Sequence, residues 1–258
     1  MPSHYTVTVT TNTLLYVGHS SGEFLNTYAF AVIKDDGSVV TWGSSSAGGS
    51  SSAVATDLNG TIDVLQIYST NTAFAARRND GSVITWGNSA SGGSSTAVAT
   101  ELNGTNDVTQ LYSTGYAFAA LRIDGSVITW GNSEFGGTST TVATMLNGDT
   151  DVTKIYANYY AFAALRTDGS VVAWGASIYG GNSTTVATML SGAVDVTHIV
   201  STNFAFAALR TDGSVVTWGM SAYGGSSTTV ASAINGDIDV MNLYATKNSF
   251  AALRSDAR

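Results

Sequence analysis

The chain has no cysteine, a single proline and few charges of either sign. Without thiols it can form neither a disulfide nor a thiolate metal site. Charged residues are 11% of its 258 residues, where a typical domain carries about a quarter, so its solvent face is built from Ser, Thr, Asn and Gly. Lysine and arginine total 10 against 18 aspartates and glutamates, for a net charge of −8. Nucleic acid is therefore excluded as a partner, because neutralising phosphates takes clustered basic residues. An anionic membrane surface is disfavoured for the same reason. No run approaches the ~18 apolar residues that span a membrane. The opening Met-Pro-Ser-His-Tyr-Thr-Val-Thr has neither the basic region nor the apolar run of a signal peptide. These absences predict a soluble protein without membrane insertion, cytoplasmic or exported without a cleaved leader. A hydrophobic fraction of 44% excludes a disordered chain, and the length suffices for a substantial core.

A strict internal repeat is what the chain does have. Trp42, Trp86, Trp130, Trp174 and Trp218 each follow the last by 44 residues. Each closes a segment Asp-Gly-Ser-Val-Val/Ile-Thr/Ala-Trp-Gly that starts at Asp36, Asp80, Asp124, Asp168 or Asp212. Phe30, Phe74, Phe118, Phe162, Phe206 and Phe250 extend the same phase to six members without insertion or deletion. The whole chain, 1–258, reads as one repeat domain, with residues 1–35 as an N-terminal closing strand and a degenerate first unit.

Within one repeat, Val108 to Ser113 and Tyr116 to Arg122 are two β-prone apolar runs. Asp124-Gly125 is a hairpin turn signal, since both residues tolerate the positive φ of tight hairpin turns. Ser126 to Gly131 is then a third strand. The runs do not alternate with polar residues, which suits strands covered on both faces. From Thr138 to Gly148 the pattern changes: Val142 and Leu146 stand four apart, Ser and Thr precede them and Asn147-Gly148 follows. A short helix with an N-cap and a glycine C-cap fits this spacing; a fourth strand competes, because Thr and Val favour strands.

Repeats of about 40–45 residues rich in strands are the size of propeller blades. The prediction is an all-β, six-bladed β-propeller of 44-residue repeats, with three strands and a short helix per blade. The last repeat stops before its Trp strand, and the alternating segment from His4 to Thr11 is placed to supply that missing strand. Leu14 to Phe24 would be the degenerate first strand of blade one. Such closure removes open sheet edges that otherwise recruit other chains. The alternative is an open stack held by nearest-neighbour contacts, which could continue from chain to chain as a fibre.

Val-x-x-Ile-Tyr, Ala-Phe-Ala-Ala-Leu-Arg and Asp-Gly-Ser-Val-x-x-Trp-Gly-x-Ser-x-x-Gly-Gly together resemble the regulator of chromosome condensation repeat. They are also similar to tandem repeats of large bacterial surface or secreted proteins. The resemblance covers nearly all of the chain after residue 24 and implies a propeller fold. The sequence departs from that family's pattern in lacking a His before the second strand, where Ser113-Thr114-Gly115-Tyr116 stands, and in ending its loop in Gly-Gly. Guanine-nucleotide exchange and chromatin binding are therefore not carried over, and a shared fold does not imply shared function.

The chain offers little for catalysis. His4, His19 and His198 show no metal-ligand spacing, no Gly-x-Ser-x-Gly elbow is present, and the Gly-Gly loops lack the lysine of a phosphate loop. An enzyme is not expected, nor a cofactor or metal. His198 shares a column with Gln66, Gln110, Lys154 and Asn242 and reads as an exposed polar position. The Trp column reads as core between blades.

Two columns are candidate sites. Lys34, Arg78, Arg122, Arg166, Arg210 and Arg254 form a basic ring, which would hold an anionic ligand at one face. The plainer reading pairs them with the column Asp63, Asp107, Asp151, Asp195 and Asp239. The second column varies between copies. The residues before Gly-Gly are Ser46-Ala47, Ala90-Ser91, Glu134-Phe135, Ile178-Tyr179 and Ala222-Tyr223. Exposed, Phe135, Tyr179 and Tyr223, with Glu134 beside them, would form an apolar strip on one rim, suited to a glycan or a protein surface. The plain alternative folds these rings back over the blade. The sequence therefore predicts a non-catalytic binding module using one rim of loops, with a structural or self-associating array as the alternative.

Overall fold

Ala-Phe-Ala-Ala opens the middle strand of every three-stranded sheet, and its small-large alternation is what lets sheets stack. The computed structural model describes residues 24–256. Their strands are β1 (Ala29–Ile33) and β2 (Val39–Gly43); β3 (Val64–Ser69), β4 (Ala73–Arg78) and β5 (Val83–Gly87); and β6 (Val108–Ser113), β7 (Ala117–Arg122) and β8 (Val127–Gly131). The next are β9 (Val152–Ala157), β10 (Ala161–Arg166) and β11 (Val171–Gly175), then β12 (Val196–Ser201), β13 (Ala205–Arg210) and β14 (Val215–Gly219). β15 (Val240–Ala245) and β16 (Phe250–Arg254) complete the order. They make six antiparallel sheets, four of three strands and one of two at either end. In the three-stranded sheets the first strand of the repeat pairs only with the second, and the second with the third, in the same register each time: Phe74 opposite Trp86, Phe118 opposite Trp130, Phe162 opposite Trp174. The fold is an all-β array of propeller-type repeats.

The core lies between sheets. Ala117, Ala119, Leu121, Val127 and Leu146 of one repeat pack against Val152, Ile155, Phe162, Ala164 and Trp174 of the next. Equivalent clusters join the neighbouring sheets. The alanines of a middle strand thus leave room for the Phe and Trp arriving from the following repeat, a complementarity that dense packing requires.

Each joint is locked by a glycine. The first glycine of every Gly-Gly pair lies on the Phe ring of the next repeat: a Cβ on Gly136 would stand 2.6 Å from the Phe162 ring, and the residue's φ is +100°. Both facts exclude a side chain there. The carbonyl of the same glycine accepts the next repeat's indole N–H, from Trp86 to Gly48 (3.0 Å), Trp130 to Gly92 (3.1 Å), Trp174 to Gly136 (3.2 Å) and Trp218 to Gly180 (3.0 Å). Backbone bonds also cross the joints in a ladder of period 44: Asn71 N–H to Gly115 O, Gly115 to Tyr159, Tyr159 to Asn203 and Asn203 to Lys247, at 2.9–3.1 Å.

The predicted short helix is present only as 3-10 turns. The segment expected to be helical holds the turn Thr140–Met145, with no capping bond from the Ser139 side chain, which accepts from the Thr129 hydroxyl instead. The β-branched residues of Thr-Thr-Val-Ala-Thr-Met are poor helix formers. The Leu146 carbonyl, moreover, accepts the Val127 N–H of the third strand, which fixes the chain before an α-helix can extend. Leu146 itself is buried, as are its counterparts Leu58, Leu102 and Leu190.

Ring closure is not formed among the described residues. The outward face of the first sheet leaves Phe30 54% exposed, and that of the last leaves Tyr244 52% exposed. The strand expected from His4 to Thr11, and all of the expected Leu14 to Phe24 strand except Phe24 itself, lie outside the described residues.

The turn at the far end of each middle strand is a small polar network. Asp80 Oδ1 accepts from the Ser82 N–H (3.1 Å) and hydroxyl (2.5 Å), and the Ser82 Oγ accepts from Arg78 Nε (2.7 Å). Asp124, Asp168 and Asp212 repeat the two bonds from serine. Asp36, bonded to the Ser38 hydroxyl and N–H and to Lys34, has its pKa lowered from 3.8 to about 2. At Asp80, Asp124, Asp168 and Asp212 partial burial alone would raise the pKa. The serine bonds and the adjacent arginine outweigh it and hold the pKa below 3.8.

Two predictions follow from these joints and turns. Gly136→Ala should lower the unfolding free energy by about 2 kcal/mol or more, through strain at positive φ and overlap with Phe162. A double-mutant cycle with Phe162→Leu in denaturant melts should show coupling between the two; additive losses would contradict the contact. The aspartate pKa values are depressed by folding, so the stability they contribute is complete above pH ~4 and is lost as pH falls towards ~2. Melting temperature measured across that window should drop, and less steeply in Asp168→Asn.

Candidate functional site: an aromatic rim on repeats three to five

The end of the sheets opposite the Asp-Gly turns carries the loops between first and second strands and the Gly-Gly loops. Each Gly-Gly loop is held by a polar residue two positions before the start of the middle strand's lead-in. Thr70 Oγ1 donates to Ser91 O (2.9 Å), Thr114 Oγ1 to Phe135 O (3.1 Å), Asn158 Nδ2 to Tyr179 O (2.6 Å) and Thr202 Oγ1 to Tyr223 O (3.1 Å). This fixes the backbone of the variable position before Gly-Gly, so its side chain alone differs between repeats.

Phe135, Tyr179 and Tyr223 stand on this rim, half-buried. They are not isolated. Tyr116, Tyr160 and Phe204, the residues just before the middle strands, interleave with them. Ring centroids are 4.9 Å apart for Tyr116–Phe135, 5.0 Å for Phe135–Tyr160, 4.6 Å for Tyr160–Tyr179, 5.4 Å for Tyr179–Phe204 and 4.4 Å for Phe204–Tyr223. Tyr159 extends the strip, edge-on to Tyr160 at 4.8 Å and to Phe24 at 5.0 Å. Repeat one has Tyr28 in the first of these columns but Ala47 in the second, and repeat two has Thr72 and Ser91, so the interleaved strip covers one sector only. The Tyr116, Tyr160 and Phe204 column, with Tyr28 as its earlier aromatic member, was visible in the sequence as a second aromatic phase; the expectation had included only the column before Gly-Gly. The strip is held by its own ring contacts, and burial raises the pKa of Tyr116 and Tyr160, so these hydroxyls stay neutral donors and acceptors.

Glu134 is exposed beside Phe135, its N–H bonded to Asn132 Oδ1 at 3.0 Å. Ile178, in the same position one repeat on, is 65% exposed.

The basic column lies at the opposite end of the middle strands, six residues from the aromatic column: Tyr116 precedes β7 and Arg122 ends it. Its partners differ from those expected. Each cation pairs with the aspartate two residues on, Lys34 with Asp36 (3.1 Å), Arg78 with Asp80 (3.6 Å), Arg122 with Asp124 (3.8 Å), Arg166 with Asp168 (3.7 Å), Arg210 with Asp212 (3.4 Å) and Arg254 with Asp256 (2.6 Å). Asp63, Asp107, Asp151, Asp195 and Asp239 instead sit against the turn glycines of the preceding repeat. Space decides the difference: a glycine at the turn admits the second aspartate onto its backbone, while the arginine side chain reaches the nearer one.

His198 is half-buried rather than exposed, edge-on to Tyr156 at 5.9 Å. Burial, with Lys154 nearby, pushes its pKa below 6.5. Among the described residues no group of three His, Cys, Asp or Glu side chains is placed to hold a metal ion. No helix among them is long and apolar enough to cross a membrane.

No protein-family model matches the chain, and no curated protein sequence matches it. Solved structures do. Human WBSCR16 superimposes with a TM-score of 0.52 at 18% identity, over 90% of this chain and 66% of that one. The ectodomain of the receptor kinase CR4 from Physcomitrella patens gives 0.50 at 15% identity, over 89% and 57%. Yeast RCC1 (Prp20), solved with Kap60, is a looser likeness at 0.46 and 16% identity, over 76% and 54%. The chain thus spans less than two thirds of the length of these proteins. At such identities the likeness is one of fold alone, an all-β array of propeller-type repeats.

Proposed function

We propose that the protein is a non-catalytic recognition module that binds a glycan along the aromatic rim of repeats three to five. The carrying observation is the continuous run of interleaved rings from Tyr116 to Tyr223, formed in these repeats and not in the first two, which have only Tyr28 in these columns. Architecture explains what every repeat shares, whereas nothing in the joint requires six aromatic rings at one end of three consecutive repeats. Tyr and Phe offer large, stiff contact area at low entropic cost, and their faces suit the apolar faces of sugar rings. Amide and hydroxyl groups stand beside them: Asn71 donates to the Tyr159 hydroxyl at 2.6 Å, and Asn132 and Asn203 lie on the same rim. The same surface would also serve a protein partner, for which tyrosine is a common anchor.

A second reading rests on the array's ends. Phe30 on the first sheet and Met241 and Tyr244 on the last are more than half exposed, which favours stacking of one chain on another. Light scattering over a range of concentrations separates the two: a constant monomer mass of 26.5 kDa supports recognition, and mass growing with concentration supports assembly. On the recognition reading, Tyr179→Ala and Tyr223→Ala should each weaken binding in a glycan screen by about 1–2 kcal/mol, while the melting temperature stays near that of the parent. Unchanged binding in both variants would refute the rim as the ligand surface.

A further inference from the structure

The aromatic strip runs into a cleft with a charge pattern unlike the rest of the molecule. Along the inner strands β9, β12 and β15 and their following loops lies an open cleft of about 540 Å³, bordered by Phe24, Lys154, Tyr156, His198, Asn203 and Lys247. Among the described residues no aspartate or glutamate lines it. The six cations of the basic column are all engaged by aspartates, and Arg77 bonds Gln66. Lys154 and Lys247 are exposed and have no acidic partner among the described residues; the Lys154 ammonium lies 5.0 Å over the Tyr156 ring. Both lysines are departures from their columns. The position of Lys154 is Gln66 and Gln110 in the preceding repeats, and that of Lys247 is Asn71, Gly115, Tyr159 and Asn203. A chain of net charge −8 thus places its two unpaired lysines at one cleft. Phe24 belongs both to that cleft and, through Tyr159, to the aromatic strip.

We propose that this cleft receives the carboxylates of an acidic glycan, a uronic-acid polysaccharide, whose neighbouring sugar rings run along the aromatic rim. The inference rests on the glycan reading of the rim and adds the charge of the ligand to it. The lysines supply Coulombic attraction, Asn203 and Ser201 supply hydrogen-bonding groups, and the open mouth admits a chain rather than only a free monosaccharide.

The test compares a short oligogalacturonate with its methyl ester, which keeps the sugar backbone and removes the charge. Calorimetry at low salt should show the free acid binding at least about fivefold more tightly than the ester, as two exposed ion pairs allow. In Lys154→Gln/Lys247→Gln that preference should fall to near unity, and salt at roughly 1 M should erase it in the parent. Both lysines are exposed, so the variant's melting temperature serves as the folding control. Equal binding of acid and ester to the parent overturns the cleft proposal and leaves the rim reading intact. Loss of acid preference only on mutation of rim tyrosines, with the lysine variant unaffected, also overturns it. Binding of neither probe overturns the cleft proposal; the rim reading is then decided by the tyrosine variants in the glycan screen.

Discussion

A glycine that lies flat on a phenylalanine is the contact on which this array depends. Because Gly136 has no side chain, the Phe162 ring lies directly against its backbone, and the same glycine's carbonyl is left facing the indole of Trp174. One residue therefore satisfies an apolar ring and a buried N–H at once. An indole nitrogen buried without a partner would cost about 1–3 kcal/mol, so the register between repeats is set by the same bond that completes the core. A shift of one residue would break both contacts at every joint. This accounts for the absence of any insertion or deletion from Asp36 to the last Phe, Phe250: the joint tolerates no change of phase.

The joint also divides the sequence into fixed and free positions. The fixed ones are Phe, Trp, the first Gly and the alanines of the middle strand, all facing a neighbouring sheet. The Asp-Gly-Ser turn is fixed for a different reason. Its serine links arginine to aspartate, and its glycine admits the aspartate of the next repeat. The position before Gly-Gly varies while its backbone carbonyl stays tied to a threonine or asparagine: the small Ala47 and Ser91 are buried, and Phe135, Tyr179 and Tyr223 stand half-buried on the rim. Ala47, Ser91, Phe135, Tyr179 and Tyr223 all satisfy the same backbone geometry.

The strands were legible because they repeat: Val108–Ser113 and the middle and third strands of each unit appear within a residue of where the spacing places them. The post-Trp segment was less legible, since Val142 and Leu146 at helical spacing look the same whether the intervening turn is α or 3-10. Only the Leu146 carbonyl bond to Val127, a contact between distant residues, decides it. The arginine partner was misread for a related reason. Two aspartate columns share the same period, and choosing between them takes the third dimension, where the turn glycine gives one of them a seat of its own. At the rim, Phe135, Tyr179 and Tyr223 were identified by variation between copies, but Tyr116, Tyr160 and Phe204 were read as parts of strands. Nineteen residues separate Tyr116 from Phe135 and Tyr160 from Tyr179, and that spacing becomes a ring contact only once the Gly-Gly loop folds back to the start of the middle strand.

Charge placement leads to the same division between structure and recognition. Exposed ion pairs contribute about 0–1 kcal/mol each, so six arginine or lysine pairs with aspartate do not hold this array together; sheet packing does. What the pairs achieve is local: they neutralise the turn carboxylates that partial burial would otherwise disfavour, at one end of every sheet. The other end then carries almost no charge, and the rings from Tyr116 to Tyr223 stand on it among Asn, Ser and Thr. Against such a background even two unpaired lysines, Lys154 and Lys247, dominate the local field in the cleft they share. A repeat protein with a nearly neutral rim and one cationic cleft can discriminate by charge at a single place while its contact area comes from uncharged rings. On the proposed reading, charge sets which ligand is held and the rings set how much of it is covered.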